Sequence, residues 1–198
     1  MKKRIIFLFM LAACLLLAAC GEAPLPEKAA DGKDWDEGWI TIGDILGVDT
    51  PKELTFRDKK DALSGNGMYY ATWSIGEEAS YLDKTEDKEQ EITVYDAQLF
   101  LLLGGSSSVE KAEEAREEWL SLAGEQYQID SEETVSYNGQ EFTVITYRLT
   151  SGPYARGASA FGIYGNYAIG AEFSCQDGFE GEPLDYLSDF LEHCHYSA

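Results

Sequence analysis

Asp96, Glu141 and Glu172 are carboxylic acids set inside stretches of β-forming residues, the first places where this chain could do chemistry. Two carboxyl groups buried side by side on a sheet cannot both stay ionised, and their separated pKa values would suit acid–base hydrolysis. Ser108-Val109-Glu110-Lys111 has the Ser-x-x-Lys spacing in which a lysine one turn later activates a serine. The Lys-Thr-Gly strand that this chemistry also needs is absent, and Ser108 is better explained as part of a helix start. Gly157-Ala158-Ser159-Ala160-Phe161 lacks the second glycine of a nucleophile elbow. His193 and His195 are the only histidines, so any Ser-His or Cys-His machinery must use the last few residues. His193-Cys194-His195 offers metal-binding atoms, but on a helix residues two apart diverge by about 200°. If the tail is extended, the two rings share a face; the expectation is a packed Cys194 between surface histidines and no metal. In the acidic stretch Asp83–Glu91, counting an EF-hand loop from Asp83 puts Lys88 where glycine is needed and Val94 where glutamate is needed. That stretch is expected to be a solvated loop.

Cysteine supplies the more specific signal. Met1-Lys2-Lys3-Arg4 precedes an uncharged apolar run from Ile5 to Ala19, which ends in Leu17-Ala18-Ala19-Cys20 and is followed by Gly21. The run falls short of the 18–20 or so residues of a membrane-spanning helix, and its basic start and small-residue end form a secretory leader. The segment resembles the lipobox of bacterial lipoproteins. That resemblance implies cleavage before Cys20, acylation of its sulfur (palmitate being the usual label), and anchorage on the extracytoplasmic face of the cell membrane, or of an outer membrane if the source has one. Each buried methylene of such an anchor adds about 0.8 kcal/mol. Leu11-Ala12-Ala13-Cys14 also matches, but cutting there leaves a short apolar region. Cys175 and Cys194 remain, and two outcomes stay open for them: a disulfide, which an exported protein permits, or two buried thiols.

The chain carries 15 basic and 36 acidic residues, a formal charge of −21, and loss of Lys2, Lys3 and Arg4 with the leader makes the remainder more negative still. Such a surface repels nucleic acid, and no basic patch offsets it. Its simplest effect is solubility and repulsion from the membrane surface; a cationic or basic partner is the functional alternative.

Periodicity places these residues on elements. Residues 1–19 are the leader, 20–34 a lipidated tether without periodicity, and 35–198 one domain beginning near Trp35. Trp39–Leu46 suggests a strand or turn-rich opening, Glu53–Arg57 a short strand, Asp58–Gly67 a loop, Met68–Ile75 a strand, and Gly76–Glu91 the acidic loop. Ile92–Leu103 reads as one strand whose end, Leu99–Leu103, is apolar on both faces, as in a central strand covered on two sides. Ser107 with Glu110 resembles a capping box opening a helix that Gly124 stops. Glu133–Tyr137 and Gln140–Leu149 flank Asn138-Gly139, a strong hairpin signal; Gly157–Tyr164 and Tyr167–Cys175 flank Gly165-Asn166. Pro183 introduces a final helix from Leu184 to about Cys194.

This order predicts an α+β domain: an antiparallel sheet of about six strands with a mid-chain helix and a C-terminal helix packed on it. The Trp-containing opening, the helix bearing Trp119, the hairpin at Tyr137–Glu141 and the closing Leu187–Leu191 segment resemble the PsbP-like α/β/α sandwich. That resemblance implies binding or assembly rather than catalysis. Most of the four tryptophans and twelve tyrosines are expected in the core, with some of Tyr69, Tyr147, Tyr154, Tyr164 and Tyr167 facing outward as a recognition surface. The expected function is a membrane-anchored lipoprotein that binds an envelope protein or a small extracellular ligand, with no cofactor. The alternative is an envelope hydrolase using the strand carboxylates.

Overall fold

Leu99, Leu101 and Leu103 point into one buried cluster while Leu102 points into another, because successive side chains of a strand alternate between faces. The computed structural model, which describes residues 39–43, 45–60, 67–84 and 89–196, builds two apolar layers around that alternation. Its strands are β1 (Ile40–Ile42), β2 (Leu46–Val48), β3 (Thr55–Lys60), β4 (Met68–Ile75), β5 (Ala79–Lys84), β6 (Glu89–Val94) and β7 (Ala97–Gly105), then β8 (Gln128–Tyr137), β9 (Gln140–Arg148), β10 (Arg156–Tyr164), β11 (Tyr167–Cys175) and β12 (Cys194–Tyr196). The helices are α1 (Val109–Gln126) and α2 (Pro183–Glu192). Seven strands, rather than about six, form the main sheet in the order β3-β4-β7-β11-β10-β9-β8, every neighbour antiparallel.

One face carries α2 and a small sheet ordered β1-β2-β12. Leu187, Phe190 and Leu191 of α2 are buried there, each contributing about 1.5–3 kcal/mol by leaving water. Phe190 meets Trp73 edge to face with centroids 4.8 Å apart. The other face carries α1, whose Ala112, Ala115, Trp119 and Ala123 are buried. Small residues let the helix approach β10 and β11 closely, with lesser contact to β7. The architecture is an α/β/α sandwich.

Several local expectations are corrected. The helix N-cap is Ser108, whose side chain accepts from the Lys111 backbone N–H, not Ser107. Gly124 does not stop α1, which continues to Gln126 and ends where Tyr127 turns extended and its N–H bonds the Ala123 carbonyl. Alternation resumes there, so β8 starts at Gln128 rather than Glu133. The first long strand is β3, running to Lys60 beyond the expected Arg57 because it pairs with β4. The acidic stretch is not a loop: Ala79–Lys84 and Glu89–Val94 pair as a hairpin, and Tyr95-Asp96 breaks the expected Ile92–Leu103 strand. The final helix ends at Glu192, and Cys194–Tyr196 pairs with β2 instead of extending the helix.

Asn138 and Gly139 adopt φ of 49° and 77° in the β8–β9 turn, the left-handed pair that such a hairpin requires. Asn138 also donates its side-chain N–H groups to the carbonyls of Glu192 at 2.6 Å and Cys194 at 3.0 Å. It thereby joins the turn to the end of α2 and satisfies carbonyls that a helix end leaves open.

Candidate functional site

On β11, Tyr167, Ile169, Ala171, Phe173 and Cys175 face the α2 side, which leaves Ala168, Glu172 and Ser174 facing α1. Glu172 therefore sits on the middle strand of seven, on the α1 side. Strand register aligns Asp58, Thr72, Phe100, Glu172 and Ser159 in one row across β3, β4, β7, β11 and β10. The adjacent row is Ser74, Gln98, Ser174 and Gly157. Five polar side chains, Thr72, Ser74, Gln98, Ser159 and Ser174, thus share the inner strands of this face with Glu172 where a sheet interior would ordinarily be apolar, and Asp58 is exposed at the edge.

The hydroxyls around Glu172 come from three elements. Tyr127, just past the end of α1, donates to its Oε2 at 3.1 Å. Tyr147 of β9 stacks on Tyr127 with centroids 4.0 Å apart and planes 14° apart. Ser159 of β10 donates to the Tyr147 hydroxyl at 3.3 Å. Gly157 is required here: a Cβ at that position would meet the Tyr147 hydroxyl oxygen at 2.5 Å. Burial raises the Glu172 pKa above its ordinary value, against the hydroxyls of Tyr127, Tyr147 and Ser159, which favour the carboxylate. Burial and the Glu172 charge together push both phenols upward. Burial thus outweighs the hydroxyl donors at this partly exposed carboxyl.

Beyond β7, Met68 at the start of β4 is buried with α1, whereas Tyr70 and Thr72 farther along the strand are partly exposed. Phe100 stacks on Tyr70 with centroids 5.6 Å apart, and both are partly buried. Arg57 donates through Nε to Ser74 Oγ at 2.6 Å and lies 4.5 Å from the Tyr95 ring centre. Tyr154 donates to Gln98 Oε1 at 3.0 Å, and its pKa is pushed up to about 12 by burial. Polar and aromatic side chains thus share this part of the face.

The structure does not bring the three strand acids together. Asp96 and Glu141 are exposed, Asp96 beside Gly76 and Glu141 next to the β8–β9 turn; Glu172 alone occupies the polar face. Ser108 caps α1, and Lys111 pairs with Glu114 rather than with the serine hydroxyl. His193 Nδ1 lies 2.7 Å from the Asp189 carbonyl, while His195 stacks on Trp39 with centroids 4.2 Å apart. The tail is extended only from Cys194 onward, so the two imidazoles do not share a face; among the described residues no group of three metal-ligating side chains occurs. Cys175 and Cys194 are buried free thiols. Burial raises both pKa values, opposed at Cys175 by Arg156. Cys194 donates its thiol to the Phe190 carbonyl at 3.4 Å. None of the five tyrosines expected to supply an outward surface is exposed: Tyr147, Tyr154 and Tyr167 are buried, and Tyr69 and Tyr164 are partly so. Nothing in the sequence marks Tyr70, Phe100 or Tyr127 as site residues; an acid alternating with apolar residues on β11 is the signal that points to this face. Cys20, Trp35, the leader and tether, and residues 85–88 of the acidic stretch lie outside the described residues.

One structural neighbour is a PsbP. The solution structure of cyanobacterial PsbP (CyanoP) from Synechocystis sp. PCC 6803 is 11% identical over 91% of this chain and 98% of that one, with a TM-score of 0.44. A crystal structure from Bacteroides thetaiotaomicron VPI-5482 is 11% identical over 80% of this chain and 47% of that one, with a TM-score of 0.40. No family model and no curated protein matches the chain. At these distances the neighbours say nothing of function. The sandwich architecture rests on the strand order and the helix on each face.

Proposed function

We propose that this chain is a lipid-anchored extracytoplasmic binding module that takes a small ligand on the partly exposed stretch of the α1 face at Thr72, Phe100 and Glu172. The observation that carries the reading is the Asp58-Thr72-Phe100-Glu172-Ser159 row. Polar groups in the middle of a sheet cost stability unless they are satisfied, and departures from an apolar pattern concentrate at functional positions. Aromatic rings beside a few placed hydrogen-bonding groups are the usual composition of a ligand site. The lipobox at Leu17–Cys20 supports the membrane tether, and the acidic composition supports a domain that stands off anionic headgroups.

Two measurements test the two halves of this reading. Radiolabelled palmitate should enter the wild-type protein, and Cys20→Ala should move it to the soluble fraction; unlabelled, soluble wild type removes the anchor. Thermal-shift screening of the full chain in non-ionic detergent against small envelope metabolites should yield a stabilising compound whose effect is lost in Gln98→Ala. A screen in which no compound acts through Gln98 or its neighbours in the two rows removes the binding site.

A further inference from the structure

Glu172 is partly buried among hydroxyls and rings, yet no cation of the described residues neutralises it. Arg57 is committed to Ser74 and Tyr95, and Arg116 to Glu117 and Thr143. Arg148 pairs with Asp130, and Arg156 pairs with Glu182 and the Phe179 carbonyl. Lys60 lies over Tyr70. A carboxyl taken out of water without a counter-charge is costly to ionise, and an ammonium group would supply that charge.

We infer that the ligand of the Glu172 face carries a protonated amine, which sits against the Glu172 carboxylate beside the Phe100 ring. This rests on the binding reading of the same face. Phe100 is the direct cross-strand neighbour of Glu172, so their Cβ atoms are about 4.5–5.5 Å apart, and one ammonium can touch both. An aromatic face attracts a cation, more strongly where water is excluded. The N–H donors of an ammonium find acceptors in the Glu172 carboxylate and in the Gln98 amide oxygen of the next row, which also accepts from Tyr154. The whole-chain charge of −21 concentrates cations and repels anions. The titratable groups facing Glu172 are the phenols of Tyr127 beyond α1 and Tyr147 on β9; β7 and β10 present Phe100 and Ser159. Of these groups Glu172 is the one that an adjacent ammonium would drive toward its ionised form.

The test is calorimetric titration of the full chain in non-ionic detergent with putrescine, glucosamine and N-acetylglucosamine, repeated in buffers of different ionisation enthalpy. Glucosamine and its acetamide share a body and differ in the amine. The expected result is that putrescine and glucosamine bind and N-acetylglucosamine does not, with a proton released to buffer. Glu172→Gln should weaken amine binding by about tenfold or more, and Phe100→Leu, which keeps the carboxyl, by roughly fivefold, both with melting checked. Amine binding that is unchanged in both variants reflects only the acidic surface and overturns the inference. So does acetamide binding equal to amine binding, or silence from both amines at millimolar concentration. If the amines fail while another compound acts through Gln98, the inference falls and the binding reading stands; if nothing acts there, both fall.

Discussion

Two opposing influences act on Glu172, and their balance makes its proton measurable. Burial disfavours the carboxylate, hydroxyl donors favour it, and burial prevails, leaving the pKa above the ordinary 4.5. The folded chain consequently holds this proton more tightly than the unfolded chain does. The stabilisation is complete below the ordinary glutamate range and is lost as pH rises through the raised value. Glu172→Gln has no proton to lose. Its stability relative to wild type should therefore improve steadily from about pH 4.5 upward, read as the difference between urea midpoints at each pH. A difference that stays constant across that range would mean that Glu172 titrates as it does in water. Comparing the two chains at each pH cancels the titration of the many exposed acids. Gly157 belongs to the same neighbourhood, since only a residue without a side chain leaves room for the Tyr147 hydroxyl.

At the level of elements, the end of α1 matters most, because it delivers Tyr127 to the sheet. The helix needs Ser108 to start it, and Glu110 in its first turn has a lowered pKa from its backbone N–H and the Ser108 hydroxyl, the sign expected of an acid at a helix N-terminus. Gly124 is exposed in the last turn, and nothing lies within 4 Å of a Cβ placed there. Gly124→Ala should then stabilise the chain by about 0.5–1 kcal/mol, through the lower conformational entropy of the unfolded state, seen as a raised denaturation midpoint. A lowered midpoint would show that the helix ends at Gly124 after all. The glycine looked like a stop in sequence because its composition fits a C-cap; what continues the helix is packing of Ala123 on the sheet, a tertiary contact. The opposite happened at the C-terminus. There, Cys194 completes an apolar stripe at helical spacing, but pairing with β2 draws Cys194–Tyr196 into a strand.

For the whole molecule, 36 acids against 15 bases make self-repulsion a general burden on the compact state. Raising sodium chloride from roughly 10 to 150 mM shortens the screening length from about 30 to 8 Å, and the melting temperature should rise by a few degrees; a fall would mean that favourable ion pairs dominate instead. Charge, the apolar run ending in Cys20 and the two-faced Leu99–Leu103 segment are all legible without a structure, because composition and side-chain period are properties of the chain itself. So are the two tight hairpins, since Asn138-Gly139 and Gly165-Asn166 act through local φ preferences. The acidic hairpin β5–β6 was illegible because its strands carry charge where a buried strand would show alternating apolar residues. The site was only partly legible. Alternation in β11 places Glu172 opposite the apolar face, but its neighbours come from β7, β9, β10 and the end of α1, residues up to 72 positions away in the chain. The order of the main-sheet strands and the two helices, and the polarity of the layers, were therefore determined by the sequence alone. Which ring meets which carboxyl was decided only by strand register and the length of α1, because long-range pairing depends on how the packed layers share one sheet.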